Sequence, residues 1–209
     1  MTAGALTRVI RRPSPVSAAA AAAAERCDLC GSRVGPSPAN LPGPQAGRHR
    51  HVLDLAADEP RCLCRACLTL FDRDGAGGAQ LRLVPTRYER LPALPPDVLG
   101  VPVGLLFVVV DDGGRALAQY PSPIGATRHE IDPPAWAAAR AACPALATLQ
   151  PRVEALLIDT ARGADERWIV PIDACFRLVA VLRREWTGLS GGSTVHPAIR
   201  EFFAALPTR

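Results

Sequence analysis

Short apolar runs separated by turn sequences dominate the middle of the chain. The segments Gly104–Val110 and Ala116–Tyr120 flank the sequence DDGG, which is typical of a β-hairpin. Farther along, Val153–Asp159 and Arg167–Pro171 form a second predicted strand pair around a turn near Gly163. Strands joined by hairpins run antiparallel, so these segments predict an antiparallel sheet.

Three segments with helical spacing lie between and after these strands. The first begins after Asp132, which suits the N-cap position, and ends near Ala142. The second covers Ala174–Trp186 with Asp173 as its cap, and the third begins near Pro197. The stripe predicted to face the core in the second helix is Phe176, Val179, Leu182 and Trp186. The resulting order, ββ-α-ββ-α-α, indicates an α+β domain with its helices packed on one face of the sheet.

The N-terminal part of the chain has a different pattern. Residues 35–47 contain four prolines and three glycines, which predict an irregular surface loop. The stretch HVLDLAADEPRCLC, which begins at His51, predicts a β-hairpin with its turn at Ala57–Pro60. From Cys67 onward the apolar spacing becomes helical.

These patterns divide the chain into four parts. We expect a disordered tail at residues 1–25, a small finger at 26–72, a Gly-rich flexible linker at 73–80 and the α+β domain at 81–209. A strand around Leu81–Val84 is predicted to begin the α+β domain. Because the linker is flexible, we expect it to isolate the α+β domain from the finger.

Composition narrows the class of protein. Of the 209 residues, 48% are apolar, which excludes a largely disordered chain. No apolar run reaches the length of a membrane span, since the longest, Val101–Val110, is interrupted by Pro102 and Gly104. In the tail, Pro13 and Pro15 directly follow the arginines that precede an alanine run, so we expect no export signal and a cytoplasmic protein.

The charge pattern argues against nucleic acid as the main partner. The net charge is only +4, and the 24 basic residues, all of them arginine, are interspersed with acidic residues. A nucleic-acid surface gathers its basic residues in one stripe.

Five of the seven cysteines are crowded into two short stretches, CDLC and CLCRAC. Two CxxC pairs, Cys27 with Cys30 and Cys64 with Cys67, can present four thiolates to one tetrahedral ion, a donor set that suits Zn²⁺. Gly31 supports a knuckle at the first pair, because the chain there usually needs a positive φ. The sequence therefore predicts a structural Zn²⁺ bound by these four cysteines in a treble-clef or zinc-ribbon-like finger.

The ligand set and the metal leave alternatives open. Cys62 lies on the same strand face as Cys64 and could replace it, although the CxxC spacing favours Cys64. His49 and His51 are further replacement ligands. Iron in a rubredoxin-like site is the alternative metal, but a glycine tends to follow both cysteine pairs of such a site, whereas Leu68 follows the second pair here.

No catalytic constellation can be assembled from the remaining residues. The sequence GLSGGST at 188–194 lacks the lysine of a phosphate-binding loop and is predicted to connect two helices. His129 and His196 have no partners at metal-ligand spacing. We therefore expect a non-enzymatic protein.

The chain resembles an uncharacterised bacterial family of actinobacterial type, commonly encoded beside high-affinity NiFe-hydrogenase genes. The resemblance runs from Cys27 to Leu206 through the stretches CDLC, RHRHVLDL, CLCRACLTLF, PSPIGATRHEID, VEALLI, WIVPIDACFRLV and WTGLSGGSTV. It implies a role in assembling, maturing or supporting a hydrogenase, and it carries over no catalytic residues because the family has none defined. The cysteines of the family correspond here to Cys27, Cys30, Cys64 and Cys67.

Three hypotheses of function follow. The first is a zinc-binding accessory protein whose partner is a hydrogenase subunit or a maturation factor. The second is a rubredoxin-like iron protein that passes electrons. The third is a nucleic-acid-binding zinc finger with the basic tail and residues 48–51 as its contacts.

Overall fold

The computed structural model describes residues 26–34, 49–71, 80–95, 97–102, 104–188 and 191–207. The predicted tail, the proline-rich loop and all but the last residue of the predicted linker lie outside the described residues. The described chain is a mixed α+β structure with two antiparallel sheets. None of its described helices is both long and apolar enough to cross a membrane.

A three-stranded sheet with the strand order β2-β1-β3 contains β1 (His49–Asp54), β2 (Glu59–Cys64) and β3 (Leu81–Leu83). The β1–β2 hairpin is the predicted one, but its turn comes earlier because Glu59 and Pro60 already belong to β2. A four-residue helix, α1 (Arg65–Leu68), follows β2 directly and continues into a 3₁₀ turn at Thr69–Phe71.

Strand β3 belongs to this three-stranded sheet and not to the larger, six-stranded sheet of the protein. It pairs antiparallel with β1, with Val52 opposite Leu83 and Asp54 opposite Leu81. The sequence predicts instead that this strand begins the α+β domain. A short apolar run indicates a strand but does not reveal which other strand it will pair with. The predicted domain boundaries themselves stay predictions.

A six-stranded sheet forms the larger part of the protein. Its strands are β4 (Glu89–Arg90), β5 (Leu105–Val110), β6 (Ala116–Ser122), β7 (Gly125–Glu130), β8 (Glu154–Asp159) and β9 (Glu166–Pro171). The strand order is β4-β9-β8-β5-β6-β7, and every neighbouring pair is antiparallel. The helices are α2 (Pro133–Ala142), α3 (Ile172–Glu185) and α4 (Val195–Ala204).

The order of elements contains two strands that the sequence pattern missed, β4 and β7. Strand β7 has the sequence GATRHE, and its described side chains are exposed. An exposed edge strand needs no apolar alternation, so the pattern of apolar positions carried no signal for it. Strand β4 is only two residues long.

Helices cover both faces of the six-stranded sheet, so the prediction of helices on one face is wrong. In β5, Phe107 and Val109 pack on the side of α3 and α4, whereas Leu106 and Val108 pack on the side of α2. Strand β8 alternates in the same way. A strand buried on both faces is apolar at nearly every position, which explains the runs LLFVVV and ALLI.

Helix α3 begins at Ile172, two residues earlier than predicted. Asp173 lies in its first turn and does not cap it, and the N-cap position belongs to Pro171. The fully buried positions of the helix are Ile172, Ala174, Cys175, Leu178 and Leu182. Of the predicted core stripe only Leu182 is among them, since Phe176, Val179 and Trp186 are half-buried at the margin of the core.

The three-stranded sheet packs directly against the rest of the protein. Leu53 of β1 is fully buried in the core that also contains α3 and α4. Asp58, in the β1–β2 turn, forms ion pairs with Arg128 of β7 and with Arg152, the latter at 3.2 Å. Arg82 of β3 reaches Asp112 of the β5–β6 turn at 2.7 Å.

Candidate metal centre

The first cysteine pair lies on a tight knuckle of backbone. The Gly31 N–H donates to the Cys27 carbonyl at 2.8 Å, and the Cys27 N–H donates to the Ser32 carbonyl at 2.9 Å. Gly31 has a φ of 69°, as predicted, and a side chain is rarely tolerated in this left-handed region. The turn brings the Cys27 and Cys30 side chains to one side of the chain.

The second pair lies where β2 ends and α1 begins. Cys64 is the last residue of β2 and occupies the N-cap position of α1. Its Sγ accepts a hydrogen bond from the Cys67 N–H at 3.5 Å. This hydrogen bond fixes the Cys64 sulfur at the start of α1.

The fold brings the four predicted cysteines together, although their two pairs are 34 residues apart in the chain. The Sγ atoms of Cys27, Cys30, Cys64 and Cys67 all lie within 4.8 Å of one another. The Cys30 and Cys64 sulfurs are 3.7 Å apart, and all seven cysteines are free thiols. Four sulfurs at about 2.3 Å from one tetrahedral ion are about 3.8 Å apart, so the donor set and its spacing fit one thiolate-binding metal ion.

The four thiols do not ionise independently. Hydrogen bonds with the Ser32 side chain and backbone lower the pKa of Cys30 to about 6. A hydrogen bond to Cys30 raises the pKa of Cys67 to about 12. Burial opposes ionisation of Cys27, but hydrogen bonds with the backbone of Cys64, Cys30 and Leu29 outweigh it and lower the Cys27 pKa. The Cys30 and Cys27 thiols thus ionise more readily than the Cys67 thiol, and a bound cation would stabilise the thiolate form of Cys67 as well.

Cys62 supports the site through its backbone and is not one of the four clustered sulfurs. The Asp28 N–H donates to the Cys62 carbonyl at 2.8 Å, and the Cys62 N–H donates to Asp28 Oδ2 at 2.6 Å. This Asp28–Cys62 clasp fixes the first knuckle against β2. Sequence reasoning did not identify Asp28, whose only signal was an acidic residue inside a CxxC pair.

The alternative ligand His51 lies elsewhere. Its Nδ1 is 2.7 Å from Asp173 Oδ2 of α3, in a contact that is largely buried. The His49 side chain lies outside the described part of the chain. Arg50, a residue of the proposed nucleic-acid contact, donates to the Val84 carbonyl at 3.0 Å. Arg50 thus holds β1 to the residue that follows β3, and His51 connects β1 to α3.

Asp111 and Asp112, in the sequence DDGG, support a hairpin turn. Asp111 Oδ1 accepts hydrogen bonds from the backbone of Gly113 and Arg115, each at 2.9 Å, and its Oδ2 binds the Arg115 side chain. Hydrogen bonding with the Arg115 backbone, together with the Arg115 charge, keeps the Asp111 pKa low. This arrangement explains the acidic pair without a bound cation.

Comparison with known proteins gives a family and no characterised relative. The family DUF5947, described as a family of unknown function, matches residues 26–209. The match therefore begins one residue before the first cysteine and covers both sheets and all the described helices. No curated protein and no solved structure matches the chain.

Proposed function

Because the chain belongs to DUF5947, a family of unknown function, we propose from its own residues that it is a zinc-stabilised accessory protein that binds a partner protein and catalyses no reaction. The observation that carries this proposal is the convergence of four thiols on one point. Zinc with four protein ligands has no open coordination position for a substrate, which favours a structural role.

Zinc is preferred to iron on the geometry of the second cysteine pair. Cys67 lies inside α1 and is followed by Leu68, so this pair has no glycine-ended knuckle like that of Cys27 and Cys30. The four thiolates would hold the ion, and the ion would fix the first knuckle against the β1–β2 hairpin. The rubredoxin-like alternative remains the second outcome of a metal analysis.

The proposed partner is a subunit or maturation factor of a NiFe hydrogenase in the cytoplasm. This part rests on the family resemblance of the sequence stretches. The metal-binding region offers apolar contact positions, since Leu29 lies between two of the cysteines and Leu70 lies three residues after a third. Their exposed fractions are 50% and 59%. The intramolecular contacts of Arg50 and His51 count against the nucleic-acid alternative.

Metal content tests the first half of the proposal. Native mass spectrometry and elemental analysis of the full chain, purified without added metal, should find one zinc for each chain. A red protein that contains iron and bleaches on reduction would contradict the zinc assignment and favour electron transfer.

Partner capture from the native cells tests the second half. We expect a hydrogenase subunit or maturation factor to be recovered with the wild-type chain and lost with the double substitution Leu29→Asp and Leu70→Asp. Ile124→Asp is the matched control, because Ile124 is 96% exposed on the β6–β7 hairpin. Recovery of the same hydrogenase protein by all three chains would reject this contact surface, and recovery by none would reject the proposed partner.

A further inference from the structure

A second chemical site lies far along the chain from the cysteines, at one end of the six-stranded sheet. A cavity of about 330 Å³ opens between the end of β8, the 3₁₀ turn Ala161–Gly163, the last turn of α3 and the first turns of α4. Its volume is within the range of small-molecule sites, which is roughly 300–1,000 Å³. The cavity is defined by Asp159, Arg162, Trp186, His196, Ile199 and Arg200.

Asp159 provides a buried carboxylate in this cavity. Its exposed fraction is only 5%, and its Oδ1 accepts a hydrogen bond from the Ala161 N–H at 2.9 Å. Among the described residues, no group donates to its Oδ2. Burial raises the Asp159 pKa, while the Ala161 hydrogen bond and the charge of His196 act in the opposite direction. The second oxygen, Oδ2, is not enclosed by the protein, so a donor on a bound molecule can reach it from the cavity.

Two guanidinium groups without ion-pair partners line the same cavity. Arg162 and Arg200 are exposed, and neither forms an ion pair with the described part of the chain. Arg162 has a φ of 53°, a left-handed conformation that is uncommon for a residue with a long side chain. Strained backbone of this kind is concentrated at binding sites, where it directs a side chain.

The rest of the wall is apolar. Trp186 of α3 and Ile199 of α4 line the cavity, together with the fully buried Leu182 and Val195. The Trp186 Nε1–H donates to the Gly188 carbonyl at 3.0 Å, which fixes the indole ring. The cavity thus combines the Asp159 carboxyl group, the His196 imidazole, two guanidinium groups and an apolar surface.

We propose that this cavity binds a small zwitterion with an apolar body, of the α-amino-acid class. The ammonium group would donate to Asp159 Oδ2, the carboxylate would bind Arg162 and Arg200, and the side chain would pack against Trp186 and Ile199. An amine without a carboxylate leaves both arginines unpaired, and a carboxylate without an amine leaves Asp159 unpaired. Opposite charges on one small molecule satisfy both sides of the site.

Isothermal titration calorimetry with a matched trio of compounds tests this proposal. The probes are L-leucine, 3-methylbutylamine, which is leucine without its carboxylate, and 4-methylpentanoate, which is leucine without its amine. We expect saturable binding of L-leucine or of the larger L-phenylalanine, and binding of the two truncated compounds that is at least about tenfold weaker, or 1.4 kcal/mol. Truncated compounds that bind as tightly as leucine would overturn the zwitterion assignment.

Substitutions locate the binding site. Asp159→Asn and Arg200→Gln should each weaken amino-acid binding at least about tenfold. Arg183→Gln is the matched control, because Arg183 is an exposed arginine of α3 that does not line the cavity. Far-UV circular dichroism and the unfolding midpoint verify that each variant is folded. The proposal is wrong if neither amino acid binds at millimolar concentration, or if folded Asp159→Asn binds them as the wild type does.

Discussion

The two cysteines of the sequence CLC differ in role although they lie on the same strand face. Cys64 contributes its Sγ to the group of four, whereas Cys62 contributes its backbone to the Asp28–Cys62 clasp. Cys30→Ser should therefore abolish stoichiometric metal binding and lower the free energy of unfolding by more than about 3 kcal/mol. Cys62→Ser should leave the metal content unchanged. Elemental analysis and urea unfolding of both variants check this prediction.

A metal content that falls equally in the two variants would show that Cys62 is a ligand. Cys143→Ser provides a control for the loss of any thiol, because Cys143 is buried against α2 and is not part of the group of four.

Asp159 gives a second prediction for a single residue, about pH. Burial holds its pKa in the folded protein above the ordinary value of 3.8. Between the two pKa values the folded chain binds more protons than the unfolded chain, so this group makes stability fall as the pH rises through that window. Asp159→Asn should remove this contribution and be more stable than the wild type at neutral pH. Urea unfolding from mildly acidic to neutral pH measures the effect, and parallel pH profiles would contradict it.

Local spacing made the four cysteines predictable as a group, because two CxxC pairs are typical of one shared metal site whatever the fold between them. Contacts between distant residues had no such signal. His51 and Asp173 are 122 residues apart, and the sequence predicts a helix cap at Asp173 because an aspartate beside a helix start is usually one. The cavity around Asp159 was missed for the same reason, since its charged residues come from three separate elements.

At the scale of elements, the loop between α3 and α4 depends on its glycines to different degrees. Gly188 and Gly192 have φ values of 62° and 71°, so both are in the left-handed region. A Cβ on Gly188 would meet nothing within 4 Å, whereas a Cβ on Gly192 would overlap the Thr187 hydroxyl. Gly188→Ala should cost about 1 kcal/mol for backbone strain alone. Gly192→Ala should cost at least about 2 kcal/mol, because a steric clash is added.

Thermal and urea unfolding of the two variants measure these losses of stability. Each variant is the control for the other, because both place an alanine at a left-handed backbone position. Equal losses of stability would show that the Thr187 side chain turns away at no cost.

Elements with a strong apolar pattern were predictable, and elements defined by partners were not. β5, β6, β8 and β9 were found at nearly their predicted bounds because hairpin turns and apolar runs are local signals. The edge strand β7 and the pairing of β3 with β1 depend on neighbouring strands, which a local sequence pattern does not identify. The continuous apolar runs of β5 and β8 did carry the information that both faces are buried.

At the scale of the whole molecule, the three-stranded sheet and the six-stranded sheet with its helices share contacts that should make them unfold together. Leu53 is buried among residues of α3 and α4, and the His51–Asp173 contact joins β1 to α3. We therefore expect one calorimetric transition, which removal of the metal by a chelator shifts to lower temperature as a whole. Two transitions, with the upper one unchanged by the chelator, would support the isolated domains expected from the Gly-rich linker.

The outer strands of the six-stranded sheet bear on self-association in solution. β4 spans two residues, and β7 presents charged and polar side chains, among them Arg128, which is paired with Asp58 of the β1–β2 turn. A second copy that added a strand to β7 would desolvate these charged side chains, which disfavours fibre-like growth. We therefore expect the ion pair between the β1–β2 turn and β7 to make edge-to-edge association less favourable.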